Sequence, residues 1–77
     1  KTLYYMNKKN KIKIVVNGKL LTVNFKFSLK NLIEELKTPI NKVAIELNEE
    51  IVDKNKLSKI FLKNKDKIEI VHFIGGG

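Results

Sequence analysis

Ile12, Ile14 and Val16 alternate with Lys11, Lys13 and Val15, the period-two pattern of a strand with one covered face. Asn17-Gly18 follows, a pair that tolerates positive φ and signals a tight hairpin. Leu20 to Phe25 reads as the returning strand. The period then changes. Leu29, Leu32, Ile33 and Leu36 fall on one stripe of a helix, with polar residues over the rest of its surface. Ser28 is placed as the N-cap, and Phe27 with Leu32 matches a hydrophobic staple. Pro39 disfavours helical backbone at Thr38 and is expected to end the element. A helix of about nine or ten residues is too short to be stable alone, so it must pack on the sheet.

Val43 to Leu47 reads as a third strand, followed by a polar turn at Asn48-Glu49-Glu50 and a short apolar pair, Ile51-Val52. Lys54 to Lys59 suits a single helical turn with Leu57 and Ile60 facing inward. Asn64 to Lys67 is a turn, and Lys67 to Ile74 is the last strand. One helix on one face of a small mixed sheet is an α+β layer solution. The last strand is nearly continuous in apolar residues, which suits a central position. The simplest arrangement places it between the hairpin and the third strand, parallel to the first. That is the ββαβ(β)β order of a β-grasp. The expected organisation is an N-terminal lead at 1–11, a domain at 12–74 and a flexible glycine tail at 75–77. Within the lead, Met6 reads as the natural start and residues 1–5 as an addition.

Composition narrows the chemistry. With 77 residues the chain makes one small domain with a modest core and no deep cleft. It has no cysteine, which excludes disulfides, thiolate catalysis and cysteine-ligated zinc. The single His72 makes no metal site alone. No apolar run or signal pattern points to a membrane or to export, and the expected location is cytoplasmic. The net charge of +8 raises a lysine-rich nucleic-acid-binding module as an alternative. However, all 16 basic residues are lysine, and arginine is the usual source of bidentate contacts to bases and phosphates. The lysines are scattered, and a solvated lysine-rich surface accounts for them. No acid precedes Glu34, and Glu46, Glu49, Glu50 and Asp53 cluster later; that cluster suits a solvated face or a basic patch on a partner.

Strand parity puts Ile68 and Ile70 on the helix-covered face, with Glu69, Val71 and Phe73 on the open one. Two large apolar groups on an open face suggest docking. His72 shares the inner side and reads as a packed or capping group; Asp66 and Asn48 read as turn residues. Directly after Ile74 come Gly75, Gly76 and Gly77. Glycine adds least to packing and loses most entropy on ordering. Such a tail can thread a terminal carboxylate through a slot too narrow for a side chain, so the α-carboxylate of Gly77 is the expected site. No pair of catalytic groups sits at plausible spacing, so the chain reads as acted upon and not as an enzyme.

Val16-Asn17-Gly18-Lys19, the run from Val43 to Val52 and the run from Asn64 through Ile74 to the terminal glycines together resemble the ThiS sulfur carriers of thiamine biosynthesis. These belong to the ubiquitin-like β-grasp superfamily. The resemblance covers roughly Ile12 to Gly77; the long polar lead and the lysine bias depart from it. It implies that a ubiquitin-activating-type (ThiF-like) adenylyltransferase, using ATP and magnesium, adenylates the Gly77 carboxylate. A sulfur donor such as a cysteine desulfurase or rhodanese then leaves a thiocarboxylate (1-thioglycine) there. A ThiG-like thiazole synthase receives the sulfur. Gly75 and Gly76 would thread the tail, while Val71, Phe73 and Ile74 would dock the partner; no cofactor, metal, nucleic acid or membrane is implied. The small subunit of molybdopterin synthase shares the fold and the diglycine end, and a ubiquitin-like modifier would share the adenylate; both remain alternatives.

Overall fold

The computed structural model describes residues 11–73. β1 (Lys11–Val16) and β2 (Lys19–Asn24) pair antiparallel. At their turn, Asn17 and Gly18 have φ of 49° and 82°, the two positive values that a type I′ turn requires. α1 (Leu29–Glu35) follows, then a 3₁₀ turn at Ile40–Lys42 and β3 (Val43–Leu47). β4 (Glu50–Ile51), a second 3₁₀ turn at Lys54–Lys59 and β5 (Lys67–His72) complete the order. The sheet runs β2-β1-β5-β3-β4, with β5 parallel to β1 and antiparallel to β3. This is the ubiquitin-like β-grasp expected from the sequence.

α1 is shorter than its apolar stripe suggests. Its start is a capping box: Ser28 Oγ accepts from the Asn31 amide at 3.0 Å, and Asn31 Oδ1 accepts from the Ser28 amide at 3.2 Å. Its end comes before Pro39 can act. Lys37 adopts φ 55°, the Lys37 amide donates to Glu34 O, and the Thr38 amide donates to Ile33 O. These two bonds close a Schellman motif, built with lysine where glycine is usual. Leu36 therefore becomes the C-cap and lies exposed at the rim instead of extending the buried stripe.

The core lies between the sheet and α1. Ile14, Leu29, Leu32, Val43, Ile45 and Ile68 have almost no solvent exposure. Leu57 and Leu62 from the connection after β4 close it from below the helix. Two other expectations shift. β2 ends at Asn24, and Phe25 turns out into solvent. His72 has inner-face parity but is exposed, although its register partner Val43 is fully buried; it is the last residue of the strand.

β5 is held by polar side chains at both ends. At its start, Asp66 accepts from the Lys63 amide at 2.7 Å and from Asn48 Nδ2 at 3.0 Å, while Asn48 Oδ1 accepts from the Lys67 amide at 2.9 Å. Asn64 Oδ1 accepts from the Lys13 amide. Towards its end, the Ile70 amide donates to Asn17 Oδ1 at 2.7 Å and Asn17 Nδ2 donates to Ile70 O at 3.3 Å. The Asn17 side chain thus continues the β1–β5 ladder where β1 itself has turned away.

Asn17→Gly keeps the positive φ but removes both bonds to Ile70. We expect a loss of about 1–3 kcal/mol in chemical denaturation and faster hydrogen exchange at the Ile70 amide; unchanged protection there would refute the pinning role. Lys37→Gly relieves the left-handed penalty at the helix end and is expected to stabilise by about 1 kcal/mol. Thermal unfolding reads this as a rise of roughly 4–8 °C.

Candidate functional site

The site begins with the parity of β5. Ile68 and Ile70 are buried, Glu69 is half-buried, and Val71 and Phe73 are 51% and 55% exposed. The register extends the open face sideways. Ala44 opposes Val71 and Glu46 opposes Glu69 across β3, while Val15 opposes Lys67 across β1. Leu20, paired with Val15, is largely exposed on the same face. Because α1 covers only the other face, this one keeps a strip of apolar groups in water. Its charges are exposed: Lys67 Nζ lies 3.8 Å from Glu49 and 3.9 Å from Glu69. Such ion pairs add little stability in high dielectric.

The exit of β5 is bracketed. The Phe73 amide donates to Lys42 O at 2.9 Å. The ammonium of Lys54 sits 5.2 Å from the centre of the Phe73 ring and donates to Ile40 O at 2.8 Å. A cation over an aromatic face is worth roughly 0.5–1 kcal/mol when exposed, enough to bias the ring without burying it. Asn17, Lys42 and Lys54 therefore fix where the chain leaves the sheet. Sequence reading missed these roles. Asn17 is legible as a turn residue, but nothing local reveals that its amide reaches β5 or that Lys54 reaches Phe73, because those contacts join distant segments.

Of the expected site residues, Val71 and Phe73 lie exposed at the end of β5. Ile74, Gly75, Gly76 and Gly77 lie outside the described residues, as do residues 1–10 of the lead with Met6, while Lys11 is already the first residue of β1. A cleft of about 440 Å³ between α1 and the Lys54–Lys59 turn is lined by Ile33, Thr38, Leu57 and Ser58 among others. It holds no nucleophile paired with a base. Among the described residues no group of three or more His, Cys, Asp or Glu side chains could hold a metal, and no helix is long and apolar enough to cross a membrane. What the described surface does carry is an ordered strand followed by exposed apolar Phe73, four residues before the last glycine.

The model of the ThiS family matches residues 14–77. The chain is 39% identical over 66 residues to a thiazole synthase of Paramagnetospirillum magneticum, a match that covers 86% of this chain and 20% of that protein. It therefore spans about a fifth of the length of that relative. The sulfur carrier protein ThiS of Bacillus subtilis is 49% identical over 35 residues, 46% of this chain and 53% of that one. Among solved structures, the thiamine biosynthesis protein ThiS of Geobacter metallireducens superposes with a TM-score of 0.75 at 30% identity, covering 86% of this chain and all of that one. With the β-grasp order, the matched tail and the exposed end of β5 in agreement, the chain belongs to the ThiS family.

Proposed function

We propose that this protein carries sulfur as a thiocarboxylate on the α-carboxylate of Gly77 and delivers it to a thiazole synthase in thiamine biosynthesis. The observation that carries this reading is the end of β5: in a ThiS-family chain, an ordered strand presents exposed Val71 and Phe73 just before three glycines. Membership of a family that includes a named sulfur carrier supports it. The match to one fifth of a thiazole synthase supports an acceptor of that type.

The chemistry follows from the carboxylate. Its charge is shared between two oxygens, which makes it a poor electrophile. In a partner adenylyltransferase, a Gly77 oxygen attacks the α-phosphorus of ATP, pyrophosphate leaves, and an acyl-adenylate forms; magnesium there offsets the phosphate charge. The terminal sulfur of a persulfide displaces AMP and forms an acyl disulfide. A thiol then breaks the S–S bond, leaving the thiocarboxylate on Gly77 and a disulfide on the donor. Apart from that carboxylate oxygen, this chain is asked for no base or nucleophile in those steps. It contributes position: Asn17 and Lys42 hold β5, Val71 and Phe73 meet the partner, and Gly75 and Gly76 let the backbone approach the partner's catalytic groups.

The test is the intact mass after incubation with ATP, magnesium, a ThiF-like enzyme and a persulfide donor. One oxygen is expected to be replaced by sulfur, with the change mapping to the C-terminal peptide. Deleting Gly77 should abolish loading, and normal loading of the truncated chain would refute the site. Gly76→Val should leave the fold intact and slow loading by roughly 100-fold, the scale expected for a misplaced reacting group; full yield would refute the narrow slot.

Phe73→Asp should raise the KM for loading while leaving the unfolding midpoint nearly unchanged, since the ring is more than half exposed. An unchanged KM would remove Phe73 from the docking surface.

A further inference from the structure

The pole opposite the tail carries a second apolar surface that sulfur loading does not use. The segment Ile60 to Leu62 runs beside Phe27 to Leu29: the Leu29 amide donates to Ile60 O, the Leu62 amide donates to Phe27 O, and Ser28 bridges Phe61. Side chains alternate along such an extended pair. Leu62 enters the core, and Phe61 is aimed out and is 55% exposed. Beside it, the turn after β2 is closed by the Phe27 amide donating to Asn24 O. Lys26 there adopts φ 66°, and Phe25, likewise 55% exposed, stands at the turn. Phe25, Lys26, Phe61, Leu62 and Lys63 line an open groove of about 380 Å³.

The charged side chains that line this groove, Lys26 and Lys63, are both cationic. Lys26, Lys63 and Lys65 make no ion pair among the described residues. Lys26 lies 5.9 Å from the centre of the Phe25 ring. The nearest acid in sequence to Lys63, Asp66, has both carboxylate oxygens engaged, one accepting from the Lys63 amide and the other from Asn48 Nδ2. Two unburied aromatic rings inside a lysine rim are complementary to an apolar side chain flanked by carboxylates. Nucleic acid fits less well, because the walls are apolar and there is no arginine to hold phosphate.

We propose that this groove is a second docking surface, occupied by an acidic segment of a protein partner that presents a leucine or phenylalanine between glutamates or aspartates. Its place in the fold sets the consequence. The groove lies at the Asn64–Asp66 end of β5, and the tail leaves from the other end. The six residues of β5 span roughly 20 Å at the rise of an extended strand. A partner held at Phe25 and Phe61 leaves Val71, Phe73 and the tail free, so the two surfaces can be engaged together.

The test is a titration of the full chain, followed residue by residue by amide NMR. The probes are a synthetic peptide with a Leu-Phe pair flanked by glutamates, the same peptide with lysines for glutamates, and oligothymidylate. Saturable shifts confined to residues 25–27 and 61–65 are expected with the acidic peptide only, weakening as salt rises. Phe61→Ser and Lys26→Glu should each weaken binding by about tenfold or more. Both positions are solvent-facing, and the wild-type amide spectrum elsewhere confirms that each variant is folded. No saturable shift, shifts centred on Val71 and Phe73, or tighter binding of oligothymidylate would each overturn the proposal. None of these outcomes depends on sulfur loading, so failure here is distinct from failure of the Gly77 chemistry.

Discussion

β5 is paired with β1 at only two Cα-matched positions, Val15 with Lys67 and Val16 with Ile68, yet the division of the sheet into a buried and an open face hangs on its register. A slip of one residue would send Val71 and Phe73 inward and bring Ile68 and Ile70 into water. Burial of the isoleucines opposes that slip, and three polar side chains lock against it. Asp66 and Asn48 set the first residue of the strand, and the Asn17 amide mimics another strand residue opposite Ile70. Each of these bonds is directional, and leaving a partner unsatisfied costs more than the bond itself contributes. The strand is thus fixed at both ends, although its regular parallel ladder is short.

From that constraint follows the division of the sheet. One helix covers one face, and the alternation of a strand sends every second residue to the other. The open face therefore collects Leu20, Ala44, Val71 and Phe73 without any element to cover them. In a small domain no further layer of secondary structure is present among the described residues to do so. Left uncovered, these groups form the surface that the proposed reading assigns to a partner, with Val71 and Phe73 at the end of β5.

The functional economy of such a chain is that it supplies geometry. In the proposed reading, reactivity rests in the Gly77 carboxylate, which is chemically plain until a partner enzyme activates it. The domain decides where that carboxylate can reach. The opposite pole, with Phe25 and Phe61 beside Lys26 and Lys63, is separated from Phe73 by the length of β5, so a contact there need not compete with the proposed docking surface.

The local patterns were enough to assign the hairpin at Asn17-Gly18, the Ser28 cap, the amphipathic stripe of the helix and the parity of β5. Each depends on residues near one another in the chain, where spacing maps directly onto faces and turns. The run from Asp66 to the terminal glycines was likewise legible as a family resemblance, and the family model matches through it, because it lies within one continuous segment. Three things were decided only by the folded chain. The helix stopped at a left-handed Lys37 before Pro39 could stop it, since two hydrogen bonds to the last turn repaid that residue's backbone strain. Phe25 left β2 early and joined Phe61 at one pole, a meeting of segments far apart in sequence. Asn17 and Lys54 took on the placing of β5 and Phe73, because an amide or ammonium finds its partner through space, which no periodicity along the chain encodes.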